Sequence, residues 1–342
     1  MYQAFYNLKD MPFRLTSDPS FMYMTGNHRE ALAGLVYSAC TRPGLMVLTG
    51  EAGTGKTTLL YSLLGLLEKR RFVTALCTNP VLTREELFDF LMEKFAVNCT
   101  STSKSRQLSA LQQTLLRTRA EGKPSVLIVD EAHRLSHELL EEIRLLLNLE
   151  TPNEKLLQIM IAGQPELTDI LAQPQLRQFK QRMSCHCKLA PLTLDEVKEY
   201  INHRLACAGL PEQQVFSEAA IRRIHEYSGG IPRLVNSVCD ASMQTGFALR
   251  TPALTVAIID ESAGDLDLTL PTVPSESQLP KAIPSMLAKA ANGHTAVAFD
   301  GNGNGNGHGN GNNSEDDRVP LESYSVRQKS VTFFGSLMDR WK

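Results

Sequence analysis

The stretch LMVLTGEAGTGKTT at residues 45–58 constrains this chain more than any other. An apolar run feeds into G-x-x-x-x-G-K-T and then into an apolar pattern of helical period, which predicts a strand, a glycine turn and a helix in succession. Glycines let backbone N–H groups converge on one point, and the following helix aims its positive end there. The expected use of Gly50, Glu51, Ala52, Gly53, Thr54, Gly55, Lys56, Thr57 and Thr58 is phosphate binding, with Lys56 reaching the β- and γ-phosphates and the Thr57 hydroxyl holding Mg²⁺. A chance glycine turn is the alternative, and the strand before and helix after weigh against it.

The second informative segment is SVLIVDEAH at residues 125–133, a continuous apolar run ending in two carboxylates. Such a run suits a central parallel strand covered on both faces, and its C-terminal end is where ligands collect in open α/β sheets. Asp130 is expected to hold the metal through its water shell, and Glu131 to orient and activate an attacking water. Acids that merely favour a helix N-terminus are the competing explanation. The same letters spell a DEAH box, but helicases of that type need a second RecA-like domain, and the pattern after Leu189 offers only helices and a tail; His133 is expected to support the site at the start of the next helix.

Composition narrows the classes. A chain of 342 residues with 42% hydrophobic content can bury at least one sizeable core. Formal net charge is −2 with acids and bases interspersed, so no global field points to nucleic acid or to an anionic membrane. The N-terminus has no basic and apolar signal segment, and no run of 18 apolar residues occurs, so a cytoplasmic location is expected. The seven cysteines are scattered without C-x-x-C spacing, as reduced thiols would be. Cys185-His186-Cys187 could suggest a metal, but along a strand the two sulfurs share one face and His186 points away.

Five apolar runs read as strands: 45–49, 72–77, 126–129, 156–162 and 184–189. Helical patterns at 28–40, 56–68, 84–95, 106–121 and 136–149 alternate with them, which predicts a three-layer α/β fold with a parallel five-stranded sheet. Along the chain one strand lies between the P-loop strand and the acidic strand, as in P-loop proteins with an inserted strand and a catalytic Glu. The helix at His28 is expected to start at Asn27 as cap with Glu30 reaching back. After Pro191 three helices are predicted, at 194–207, 217–227 and 232–249, forming a small all-α lid. The expected domains are 1–190, 191–262, a disordered linker at 263–325 rich in Pro and Ser and then in Gly and Asn, and an amphipathic helix at 326–342. In that helix Phe333, Phe334, Leu337, Met338 and Trp341 fall on one face flanked by Lys329, Arg340 and Lys342. It could contact an anionic membrane peripherally, dock on a partner, or fold back on the chain itself.

Tyr2-x-x-Phe5-Tyr6-x-Leu8, Pro12-Phe13-x-Leu15-Thr16-x-Asp18-Pro19-x-Phe21, His28-x-Glu30-Ala31-Leu32 and Gly163-Gln164-Pro165-Glu166-Leu167 resemble the AAA+ ATPases typified by general secretion pathway protein A, with relatives at exosortase and extracellular polysaccharide loci. The resemblance covers roughly residues 1–250. It implies that Pro12, Phe13 and the His28 helix hold the adenine, with a hydrophobic staple onto the core as the other reading of Pro12-Phe13. It also implies that Gln164 is sensor 1, that Arg233 is sensor 2, and that Arg182 is an arginine finger reaching a neighbouring subunit. Arg177 competes for that last role, and a solvated charge at a helix end is the bland reading. That family continues into a membrane span and a periplasmic peptidoglycan-binding region, neither of which is seen in this sequence, so direct cell-wall contact is not expected.

The reading that follows is an ATPase that binds ATP and Mg²⁺, oligomerises with itself in an ATP-dependent manner, and remodels or assembles a protein partner of envelope secretion or exopolysaccharide export. The rival is an ATP-gated DNA-binding protein resembling transposition target-selection ATPases, with duplex DNA as the partner.

Overall fold

The computed structural model describes residues 2–16, 19–41, 44–210 and 215–270. Residues 271–325 of the expected Pro/Ser and then Gly/Asn linker (263–325), and the amphipathic helix at 326–342, lie outside the described residues. In chain order the elements are α1 (Tyr2–Phe5), α2 (Gly26–Thr41), β1 (Leu45–Gly50), α3 (Lys56–Lys69), β2 (Val73–Cys77), α4 (Arg84–Lys94), α5 (Lys104–Ala120), β3 (Ser125–Val129), α6 (His137–Leu146), β4 (Leu157–Gly163), α7 (Glu166–Ala172), α8 (Arg177–Lys180), β5 (Met183–Leu189), α9 (Leu194–Cys207), α10 (Glu218–Ser228), α11 (Pro232–Ala248) and α12 (Val256–Asp265).

All five strands are parallel and lie in the order β2-β3-β4-β1-β5. Period-two alternation sorts their apolar residues onto two faces. Leu45 and Val47 of β1 enter one core with β3, β4 and helices α4 to α8, whereas Met46 and Leu48 enter another with α2 and α3. The strand between β1 and β3 in space is therefore β4, and β2, which intervenes along the chain, goes to the sheet edge. Sequence order could not reveal this, because a parallel crossover of any length can skip a position in the sheet.

Thr25, not Asn27, starts α2. The Thr25 hydroxyl accepts the His28 backbone N–H at 3.2 Å, satisfying one orphan donor of the first turn. Asn27 instead clamps the end of β5, donating to Lys188 O and accepting from Ala190 N, each at 3.1 Å. A long-range use of the amide outcompetes the local cap.

The remaining helices build a third core. Tyr2, Tyr6, Leu8, Phe13 and Phe21 of the N-terminal segment share it with α9 to α12. Helix α12 was not expected from the sequence, and it crosses the boundary expected at 262. Its apolar residues Ile258 and Ile259 close this core, but acidic and small residues around them blur the helical period.

The link between sheet and helices turns on Gly230. Its φ is +75° and an added Cβ would lie 2.0 Å from the Leu192 carbonyl oxygen, while its own carbonyl accepts Leu192 N–H at 2.8 Å. Gly230→Ala is expected to cost roughly 3 kcal/mol or more, since left-handed strain and a backbone clash add. Gly229, with φ of +56° and nothing within 4 Å of an added Cβ, should cost only about 1 kcal/mol when changed to Ala. Denaturant unfolding of the two variants checks the ranking.

Candidate nucleotide site

β1 ends at Gly50 and α3 begins at Lys56, with Gly55 as cap at φ 94° and no side chain capping the first turn. The orphan N–H groups of that turn are therefore left for an anion. Gly53, at φ +84°, has no room for a side chain, because a Cβ there would lie 2.7 Å from the Cβ of Arg233. Arg233 also donates its backbone N–H to Gly53 O at 3.3 Å. The first turn of α11 thus rests directly on the glycine loop, a contact of long sequence range that the motif by itself does not contain.

Lys56 is only 5% exposed. Its Nζ donates to the carbonyls of Gly50 at 2.7 Å and Glu51 at 2.9 Å. Burial pushes its pKa down, opposed by the carboxylates of Glu131 and Asp130. A buried ammonium that bonds only to carbonyls of its own loop fits a phosphate better than any group present.

Across β4, Asp130 is buried at the end of β3 and accepts the Thr57 hydroxyl at Oδ2, 2.7 Å away. Its Oδ1 accepts the Glu131 N–H at 2.9 Å. Hydroxyl and carboxylate together are an oxygen donor set of the kind Mg²⁺ uses, so the residues present fit that ion. Glu131 itself has φ +52°, the left-handed region that a non-glycine residue enters only when its surroundings hold it there.

His28 lies beneath the loop. Its Nε2 is 3.2 Å from the Thr54 carbonyl, which can only accept, so Nε2 carries the proton and Nδ1 accepts the Thr25 hydroxyl at 2.7 Å. Burial lowers its pKa, in keeping with a neutral ring.

Lys56, Thr57, Glu131 and His28 border a cleft of about 410 Å³ between the loop and helices α9 and α11, a size suited to a small-molecule ligand. Gln164 and Arg233 line it with Lys56, Thr57 and Glu131. Pro12 and Phe13 do not, which corrects the expectation that they hold the base. Phe13 is 1% exposed and meets Phe216 edge-on in the helical core. Its apolar ring is more stable among α9 to α12 than on a wet cleft wall, as the staple reading anticipated. The residues just after it, Arg14, Leu15 and Thr16, reach the cleft instead.

Sequence reasoning missed Arg204. It is 7% exposed, donates to Pro12 O and, at 3.3 Å, to Arg14 O, and bonds the Tyr200 hydroxyl at 2.7 Å. Tyr200 in turn donates to Asn236 on α11 at 2.9 Å, and the guanidinium lies over the Phe21 ring. Arg204 therefore ties the N-terminal segment to two helices at the edge of the cleft. The available signal was an arginine on the stripe Val197, Tyr200, Ile201, Leu205 of an amphipathic helix, where a buried charge needs partners.

Arg182 is not brought to the cleft. It precedes β5, and Met183 pairs with Leu45 at the far end of β1, about 16 Å below the loop at the rise of a parallel strand. Its guanidinium bonds Asn148 Oδ1 at 2.6 Å. Arg177 is exposed at the start of α8. The sulfurs of Cys185 and Cys187 lie 3.5 Å apart on one face of β5, and His186 turns away to Thr49 at 2.9 Å, as strand alternation predicts.

A strand, glycine loop and helix beside an Asp-Glu strand end, with β4 inserted and a helical lid on the loop, define a P-loop domain of the AAA+ class. Residues 40–171 match the family described as AAA domain. Over 249 residues, 72% of its length, the chain is 41% identical to general secretion pathway protein A of Aeromonas hydrophila, and it belongs to the AAA+ ATPase family of that type. It spans 45% of that relative's length. The fold is similar to Cdc6p from Pyrobaculum aerophilum (TM-score 0.56, 16% identity, 77% of this chain and 70% of that one). It is also similar to a chain of Drosophila ORC (TM-score 0.59, 14% identity, 78% and 66%). At such identities the likeness is one of fold alone.

Proposed function

We propose that this chain hydrolyses ATP and uses the cycle to remodel or assemble a protein partner, in envelope secretion or exopolysaccharide export. The observation that carries the reading is the Thr57–Asp130 hydrogen bond beside a strained Glu131 and a buried Lys56, with Lys56, Thr57 and Glu131 lining one cleft. Lys56 binds the β- and γ-phosphates together with the loop N–H groups. Thr57 and Asp130 hold Mg²⁺, which supplies charge neutralisation of the phosphates when bound. Glu131 accepts the proton of the attacking water at its carboxylate. Gln164 helps place that water, and Arg233, resting on Gly53, relays phosphate state to α11. Residues 14–16 and 21–23, with Tyr200 and Arg204, receive the base end. Arg182 acts on a neighbouring copy, so the active form is an oligomer.

The proposed domains are 1–190, 191–262, the linker 263–325 and the helix 326–342, and Tyr2, Tyr6, Leu8, Phe13 and Phe21 of the first domain pack on the helical lid. Among the described residues no helix is long and apolar enough to cross a membrane. The chain is proposed to act in the cytoplasm, reaching the membrane only at its surface, through 326–342.

Phosphate release by the purified chain tests the activity. Release is expected with Mg²⁺ and is lost with a chelator, and absence of release with the metal, in the presence of a membrane extract or DNA as well as without, sinks it. The DNA-gated rival predicts binding to duplex DNA that falls steeply with log[salt]. A formal charge of −2 with acids and bases interspersed favours the first reading, and a steep slope in a salt titration would reverse the choice.

A further inference from the structure

His133 sits on the single 3-10 turn Ala132–Arg134 that follows Asp130 and Glu131. The turn is held firmly: Ala132 is fully buried, and Arg134 N–H donates to Glu131 O at 2.9 Å. Only the side chain of Glu131 is therefore left to move, and it is partly exposed at the cleft. Among the described residues the only hydrogen-bond or ion-pair partner of its carboxylate is His133, whose Nδ1 lies 3.5 Å from Oε2.

The same Nδ1 has a second claimant. The backbone N–H of Gln164 points at it from 3.4 Å, and the Gln164 side-chain amide faces the other ring nitrogen, Nε2, at 3.3 Å. The ring fits there because β4 ends in glycine: a Cβ on Gly163 would lie 3.1 Å from His133 N and 3.3 Å from Nδ1. A backbone N–H can only donate, so holding Gln164 requires a lone pair on Nδ1. The proton is then on Nε2, which donates to the Gln164 amide through its oxygen. Holding the Glu131 carboxylate requires the proton on Nδ1, with Nε2 accepting from the amide nitrogen of Gln164. One nitrogen cannot serve both at once.

We infer that His133 is a positioning residue that couples Gln164 at the end of β4 to the carboxylate of Glu131, releasing Glu131 when its Nδ1 is taken by the Gln164 backbone and holding it otherwise. This rests on the reading of Glu131 as the group that activates water. Gln164 lines the cleft, so a small shift of β4's end on nucleotide binding reaches Glu131 through one ring.

His133→Ala is expected to lower kcat about ten- to a hundredfold, the scale of losing orientation of a reacting group, with nucleotide Kd unchanged within about twofold. His133→Asn, which keeps a polar atom at the Nδ1 position, should recover most of the loss. Because both residues act along one line, His133→Ala/Gln164→Ala should be no slower than the slower single variant. A readout without turnover uses the unsubstituted ring: imidazole ¹⁵N shifts of His133 in the nucleotide-free protein should move toward the Nε2–H tautomer in Glu131→Gln, where the anionic acceptor is gone. Multiplicative losses in the double variant, or ¹⁵N shifts indifferent to Glu131→Gln, overturn the coupling. Should Glu131→Gln retain full turnover, the assignment of Glu131 fails first. Should it stall hydrolysis while His133→Ala leaves kcat within twofold, only the role of His133 is wrong. If His133→Ala melts early, the ¹⁵N shifts still decide the matter.

Discussion

Lys56→Ala abolishes measurable ATP binding, whereas Glu131→Gln binds ATP as the parent does and loses turnover by about a hundredfold or more: these are the expected results of the most direct test of the site. The two residues act at different moments. Lys56 is a buried cation now bonded to the Gly50 and Glu51 carbonyls, and its charge-assisted bonds to phosphate are of the order of 1.5–3 kcal/mol each. Removing it takes ground-state affinity. Glu131 matters to water attack, and general-base catalysis contributes roughly 10²–10⁴-fold. A fluorescent-nucleotide titration beside a phosphate-release assay separates the two, and thermal melting in the absence of nucleotide checks that the loop survives losing Lys56. Equal loss of affinity in both variants would overturn the division of roles.

Arg182→Ala is expected to lower turnover by about 10³-fold or more, the scale of an arginine finger, while the monomer's ATP affinity stays as it was. The geometry makes the claim specific. Arg182 stands just before β5, level with Leu45 and at the opposite end of the sheet from its own loop, so a phosphate it contacted would have to be one held by another copy. Mixing therefore has a defined outcome. Arg182→Ala subunits keep an intact cleft and Lys56→Ala subunits keep Arg182, so if Arg182 is the finger the two inactive proteins should together regain part of the activity. Mixed oligomers that form and stay inactive would exclude Arg182 in trans and turn attention to Arg177, exposed at the start of α8.

Some of the fold was legible because its signals are local. A buried strand announces itself as an apolar run, and all five strands lie where runs at 45–49, 72–77, 126–129, 156–162 and 184–189 put them, within a residue at each end. Thr193 and Glu196 form a capping box for α9, and that helix spans the predicted 194–207. Helix α12 shows the limit: its period is diluted by acidic and small residues, and only the core it closes makes it a helix.

The candidate site divides along the same line. The placement of Gly53, Gly55, Lys56 and Thr57 in a turn between a strand and a helix was readable because φ preferences and fixed spacing act within a few residues. Asp130 and Glu131 were readable because a strand end in a parallel sheet is where ligands gather. The base end was not. Pro12 and Phe13 carry the more distinctive pattern, yet Phe13 is drawn into the helical core against Phe216, and Arg14 to Thr16 take the cleft.

What the sequence by itself determined is the five strands, most of the helices, and the placing of a glycine loop and two carboxylates at strand ends, for each depends on neighbours within one turn or one strand. Only the tertiary structure decided that β4 lies between β1 and β3, that Arg233 rests on Gly53, that Arg204 joins the N-terminal segment to α9 and α11, and that His133 stands between Glu131 and Gln164. The contacts Arg233–Gly53, Arg204–Pro12, Tyr200–Asn236 and His133–Gln164 join residues 31 to 192 positions apart, and their geometry is set by how the packed cores fix sheet and helices, a quantity no short window of sequence contains.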